Sequence, residues 1–542
     1  MTSSASSQPA GAGAQPKTFQ RTDPPPSPPG TPAEIAERLT WAPRPPLELP
    51  RVDEPAGGST DARHRLVVVG DSISQGFKSF AVWDTEFSWP AMVAGYGGIP
   101  GFRFPRFDGP PDCPGLPLNL EAIVRLIDWP GSLINLAEDA HLLLSLRRLM
   151  DDVEDYWERG PGADQQRAAP GAGGRDIGRV NHNLACWGHD VRDAMSLSVQ
   201  VMRDRIATDP RNRDDLLSQI PSSSGERSGL LSLAGGAESD TQLSLARALG
   251  EDGGIETLVV ALGANNILGT VLDFQVRWTE DGYDDVHRKG VYNAWLPSHF
   301  RVEFDRLLAE VDTIQAEKVI VLTVPHVTVA PMVRGVGTKM PGDRYFARYT
   351  RPWIPDAVFN PNRHPCLTGD QLRVLDFAVD EYNDHIVSRV RSRDTPGKRW
   401  AVLDICGVLD RLAYRRYMID GEARPEWWSS YDLPAQYQAL SPQPDTRFYR
   451  SDRFGRMEGG LVSLDGVHPT TAGYALLARE VMQQMTALGV ALDRVEPDYD
   501  GVLAGDSLLC APPVPSATVM SIVEFGNRAA DLYQALRRRP PI

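Results

Sequence analysis

Short apolar runs rich in β-branched residues recur along the chain, each followed by a stretch where apolar residues return every three or four positions. The runs are LVVVG at 66–70, TLVVALG at 257–263, KVIVLTV at 318–324 and WAVLDI at 400–405, with a weaker one, RVNHNLA, at 179–185. Helical spacing follows at 190–207, 301–316, 369–392 and 471–487. Apolar strands alternating with amphipathic helices predict a parallel sheet covered by helices. Five such strands with their crossovers predict one doubly wound α/β domain.

The spacing is too wide for a minimal domain, because more than a hundred residues separate the first run from the second. An insertion is therefore expected, about 87–178. Within it, residues 119–158 carry two helical patterns broken at Trp129-Pro130-Gly131. They could form a cap over a site or an annex packed on the flank. Residues 162–176 and 208–250, rich in Gly, Ser and charge, read as surface loops, and the Pro-interrupted 325–366 as a decoration at the top of the sheet. Residues 1–60, with RTDPPPSPPGTP at their centre, read as a flexible Pro/Ala/Gly/Ser-rich tail. The folded domain is expected over 61–490, followed by a C-terminal extension, 491–542, that closes in a helix.

Composition narrows the classes of function. A chain of 542 residues can bury a large core without disulfides or metal. No apolar run is long enough to span a bilayer, so no transmembrane segment is expected. The net charge of -15, spread along the chain, argues against a nucleic-acid partner, which calls for a basic stripe. The cysteines Cys113, Cys186, Cys366, Cys406 and Cys510 stand at long, irregular spacings, as buried thiols do and metal ligands do not. The N-terminal stretch lacks the basic and apolar regions of a secretory signal, so a cytoplasmic location is expected.

Candidate chemistry lies where the first run ends. LVVVG leads into Asp71-Ser72-Ile73-Ser74-Gln75-Gly76, and a serine at the carboxyl end of a parallel strand stands where ligands bind in open α/β sheets. A serine hydroxyl is a weak nucleophile and needs a base steered by a carboxylate. Near the other end, Asp465-Gly466-Val467-His468-Pro469 supplies both from one short loop just before a helix. Gly188 in NLACWGHD and Asn265 in LGANN follow strand ends, and a backbone N–H and a side-chain amide are the donors that stabilise an oxyanion.

GDSISQG with Ser72, the Asn183 to Gly188 turn, GANN at 263–266 and DGVH at 465–468, in that order, resemble the blocks of the SGNH/GDSL hydrolases. The resemblance covers residues 65–486. It implies a three-layer α/β/α sandwich with a flavodoxin-like five-stranded parallel sheet and large helical and loop insertions. It also implies serine-dependent hydrolysis of carboxylic esters with Ser72 as nucleophile, His468 as base and Asp465 orienting it. The Ser72 N–H, the Gly188 N–H and the Asn265 side chain would form the oxyanion hole, with no metal or organic cofactor. Asn266 departs from the family, which commonly has Asp there.

A second GDS, at Gly505-Asp506-Ser507, lacks a strand before it and a long helix after it, so Ser507 reads as a loop residue. Asp71 reads as a turn-holder. His182 and His189 read as hydrogen-bonded residues at strand ends, and His326 as a residue on the same face of the sheet that could line the pocket. HExxH, GxxxxGK, GxGxxG and GxSxG are absent from the sequence. The expected substrate is a small-molecule or lipid ester, the apolar 119–150 segment suiting a fatty acyl chain. Alternatives are a sugar O-acetyl esterase, an acyltransferase in the same fold, and a non-catalytic scaffold.

Overall fold

The computed structural model describes residues 23–55, 58–127, 136–169, 174–209, 220–339 and 342–513, with side chains in the 120–158 region described up to Leu126 and from Ser145 on. Four parallel strands form the central sheet: β1 (His64–Gly70), β2 (Ile255–Ala261), β3 (Ala316–Leu322) and β4 (Arg399–Leu403). Their spatial order is β1-β2-β3-β4. Registers such as Gly70↔Ala261 and Val260↔Val321 align their carboxyl ends along one edge.

Both faces of the sheet are apolar, which is why the runs are continuous and not alternating. Val67, Val69, Leu258, Val260, Val319 and Val321 face helices Gln242–Glu251, Pro297–Asp312 and Gly369–Arg391. The intervening Leu66, Val68, Val259, Ile320 and Leu403 face helices Trp89–Tyr96, Ile405–Leu412 and Thr471–Ala487. Period-two alternation along each strand thus sends neighbouring side chains into separate cores.

Four of the five expected strands are present. The fifth, 179–185, runs beside the outer edge of β1 but makes only one bridge, Val68↔Asn183. Its backbone still bonds that edge, through Leu184 N–H to Val68 O at 2.9 Å and Cys186 N–H to Gly70 O at 3.1 Å. Asn183 turns its side chain onto Ser74 O at 2.8 Å. A chain that must place Trp187 and Gly188 above the sheet end leaves the ladder early.

The leader differs most from expectation. Residues 23–55 are not a free tail but a strap laid over the fold. Ile35 is fully buried and Leu39 nearly so in the first core. The Arg373 guanidinium sits 3.9 Å from the Trp41 ring centroid. The Leu47 N–H donates to Asp404 Oδ2 at 2.6 Å, just beyond edge strand β4, and Arg51 pairs with Glu480 at 2.9 Å. The strap therefore joins helix Gly369–Arg391 to helix Thr471–Ala487 around the exposed edge. Residues 1–22 lie outside the described residues.

Other boundaries move as well. The expected insertion begins at 87, yet Trp89–Tyr96 belongs to the sheet's own covering layer. Residues 208–250 are not surface loops throughout, because Gln242–Glu251 buries Leu243, Leu245, Ala246 and Leu249 behind a capping box at Thr241. Residues 162–176 begin within helix Pro161–Ala168. The two patterns of 119–158 form helices Leu120–Ile127 and Leu136–Glu158, while the Trp-Pro-Gly break lies outside the described residues. The extension packs onto the body through Tyr499, Val502 and Leu508, and its expected terminal helix lies outside the described residues. The thiols of Cys113, Cys186 and Cys406 are buried, Cys366 is half-buried and Cys510 is exposed, all unpaired. Among the described residues, no helix is long and apolar enough to cross a membrane.

Candidate active site

β1 ends at Gly70, where a Cβ would come within 2.6 Å of Ser74 Oγ, so only glycine lets the chain turn so sharply. Asp71 then caps a single helical turn, Ser72–Gln75, by accepting from the Ile73 N–H at 3.1 Å. This puts Ser72 at the sheet's carboxyl edge with its N–H at the start of a helix. Burial pushes the Asp71 carboxyl up to about 6.

Asp465 and His468 arrive from the far end of the chain. Residues 463–466 form a turn, Gly466 N–H to Ser463 O at 3.0 Å, with Gly466 at φ +70°. A Cβ there would press on Met332 N and the Phe448 ring at 3.0 Å, so this position requires glycine. Asp465 Oδ1 accepts from the N–H groups of Val467 and His468, both at 2.8 Å, folding the carboxylate back over the turn. Its Oδ2 lies 3.0 Å from His468 Nδ1, and His468 Nε2 lies 2.9 Å from Ser72 Oγ. With Nδ1–H donating to the carboxylate, Nε2 is left to accept the serine proton. Burial penalises the Asp465 charge, but the adjacent His468 and these hydrogen bonds hold its carboxyl below the ordinary range.

Residues not foreseen from the sequence brace this relay. A two-residue hairpin turn at Ser79-Phe80 joins Phe77–Lys78 to Ala81–Val82. Both turn residues have positive φ, +49° and +65°, a conformation that costs each non-glycine residue on the order of 1 kcal/mol or more. The Phe80 N–H donates to Asp465 Oδ2 at 3.0 Å and the Ser79 N–H to Ser463 Oγ at 2.8 Å. Ser79-Phe80 carries none of the Asn-Gly chemistry that marks such turns in a sequence. The Phe77 ring lies 4.5 Å from the His468 imidazole, with Trp187 4.9 Å away across Phe77. Phe77 and Leu464 share a third apolar cluster with Ile123, Val153 and Trp157, so the inserted helices pack against the flank of the triad. Ser72 is only 3% exposed and His468 7%.

Gly188 and Asn265 come to the same edge. The Trp187 N–H donates to Gln75 Oε1 at 3.0 Å, which ties the Cys186–His189 turn to the helical turn carrying Ser72. Gly188 has φ +76° with open space where a Cβ would point. Asn265 donates one amide hydrogen to His189 O at 2.9 Å, leaving the other for a ligand. Among the described residues, no protein acceptor engages the N–H of Ser72 or Gly188. The turn is also gripped by Lys289, whose Nζ donates to Gly188 O at 2.7 Å and to Asp193. Lys289 carried no signal in the sequence. Asn266 accepts from the Val191 N–H at 3.3 Å and so braces the adjoining loop.

The remaining candidates fall elsewhere. Ser507 opens a one-turn helix capped by Asp506, and its hydroxyl donates to Glu121. His182 accepts from the Arg103 N–H at 2.8 Å and meets His64, and burial drops it to about 3. His189 is buried against Gln242 and drops to about 4. His326 does not meet the triad but is held between Asp410 at 2.9 Å and Asp380 at 3.1 Å. Comparison with family models, curated proteins and solved structures gives no match to this chain.

Proposed function

We propose that the protein hydrolyses carboxylic esters through an acyl-enzyme on Ser72. The observation that carries this is the unbroken relay Ser72 Oγ, His468 and Asp465, with links of 2.9 and 3.0 Å assembled from segments 396 residues apart. In this reading His468 takes the Ser72 proton as Oγ bonds to the ester carbonyl carbon. The carbonyl electrons pass to oxygen and are stabilised by the Ser72 and Gly188 N–H groups and the free Asn265 amide hydrogen. Collapse expels the alkoxide, which takes the proton from His468. Water then attacks the acyl carbon with His468 again as base, and Ser72 recovers its proton. Asp465 orients the imidazole and stabilises its charged form.

The order and type of these residues support the SGNH/GDSL resemblance, as does a sheet covered on both faces. The five-stranded flavodoxin-like form of that fold would count the 179–185 segment as its outer strand. The apolar flank of Phe77, Phe80 and Trp187 favours an acyl chain over an acetyl group. The near-complete burial of Ser72 gives a second reading some support, an acyltransferase in which an alcohol replaces water.

A series of p-nitrophenyl esters from acetate to decanoate, assayed with and without added alcohol, tests these readings. Turnover that rises with chain length and vanishes in Ser72→Ala is expected. An ester product appearing with alcohol would mark the transferase. Equal turnover by Ser72→Ala would refute the mechanism.

A further inference from the structure

Away from the triad, three guanidinium groups converge on a small cavity. Arg415 and Arg416 are neighbours on a single π turn, Tyr414–Met418, and Arg344 comes from the 325–366 segment. Together with Thr328, Val329 and Tyr349 they line a space of about 10 Å³, room for one water-sized sphere. Arg416 is compensated, pairing with Asp376 at 2.7 Å and Asp410 at 3.2 Å. Those acids are also engaged elsewhere, Asp376 by Thr328 and Tyr345, and Asp410 by His326.

Arg344 and Arg415 are left without such partners. Among the described residues, neither has a carboxylate within ion-pair distance, and Arg344 Nε and Arg415 Nη1 are buried with no acceptor. Arg415 gives its other nitrogen to the carbonyls of Val329 at 3.1 Å and Ala330 at 2.6 Å. Burial, reinforced by the charges of Arg416 and Arg334, pushes Arg415 down to about 10. Arginine stays charged at neutral pH even so. Clustered, half-buried cations with buried and unmade N–H bonds are destabilising unless a counter-charge enters. A water could satisfy the N–H groups but would leave the charge.

We propose that this cavity is a binding site for a small inorganic anion of halide size, held by Arg344, Arg415 and Arg416. The narrow space between the three guanidinium groups is closer in size to a halide than to a tetrahedral oxyanion. The site also adjoins the catalytic loop, because the 329–330 carbonyls held by Arg415 lead to Met332, whose N–H donates to Gly466 O at 2.9 Å.

The test is thermal unfolding of the full chain at constant ionic strength while sodium chloride replaces sodium gluconate. A saturable Tm rise of about 3 °C is expected, matched by bromide and not by sulfate or phosphate. Arg415→Gln should lose this dependence and, without chloride, unfold at or above the wild-type temperature, since an uncompensated charge has gone. A merely structural arginine would instead lower Tm at every chloride concentration. The surface variant Arg450→Gln should keep the full response. Should Arg415→Gln fail to fold, the ³⁵Cl line width of the wild-type protein decides, with saturable broadening expected. No chloride response, a response to oxyanions alone, or an unchanged response in Arg415→Gln would each overturn the proposal.

Discussion

Asp71 shows how one residue can serve geometry at a cost in charge. Its side chain caps the turn that presents Ser72, yet burial lifts its carboxyl from 3.8 to about 6. The native chain therefore keeps a proton that the unfolded chain has lost between pH about 4 and 6. Stability falls as pH rises through that window, and the penalty persists above it. Asn caps equally well without the charge. Asp71→Asn should be more stable than wild type by about 3 kcal/mol at pH 8, with the gain shrinking to nothing at pH 4. Urea unfolding at the two pH values measures this, and a pH-independent difference would contradict it. Ser72, Asp465 and His468 were legible in the sequence because each sits in a short contiguous motif whose chemistry is local. Phe80 and Lys289 were not, since each acts through a backbone atom or a long side chain reaching a distant segment.

At the level of elements, the positioning of Gly188 and Asn265, the proposed oxyanion donors, rests on loops held by side chains. Lys289 reaches across to Gly188 O, Asn265 to His189 O, and Gln242 joins the Gly70 N–H to the His189 ring. Lys289→Met should release one of these holds while leaving the triad bonded. The expected result is a loss of about 10- to 100-fold in kcat, as for small misplacements of catalytic groups, with KM little changed and the melting temperature lowered because buried Asp193 loses its partner. A rise in KM at constant kcat would instead mark Lys289 as a substrate contact. The four strands could be read because burial on both faces makes them continuous β-branched runs. The fifth is fainter because RVNHNLA carries polar side chains that bond outside the sheet, and its backbone makes only a single bridge with the β1 edge. Helix Gln242–Glu251 was hidden by the Gly- and Ser-rich stretch before it.

For the whole molecule, the leader shows the limit of reading composition. Prolines and glycines suggested a free tail, but a few apolar and charged residues among them, Ile35, Leu39, Trp41 and Arg51, decide where it lies. Proline fixes an extended course without helix or sheet, which suits a strap. Deleting residues 1–55 would expose the pocket that holds Ile35 and Leu39, worth about 1.5–3 kcal/mol each. It would also break the Arg51–Glu480 pair. A fall in Tm of about 5–10 °C is expected by differential scanning calorimetry, and an unchanged Tm would show that the strap contributes nothing to stability.

The nucleophile is tested most directly by treating the purified protein with a fluorophosphonate and locating the adduct by peptide mass spectrometry, with Ser72→Ala and Ser507→Ala alongside. One adduct per chain on Ser72, retained in Ser507→Ala and lost in Ser72→Ala, is the expected result. An adduct on Ser507, or none on a folded wild-type chain, would contradict the assignment of Ser72 as an activated serine.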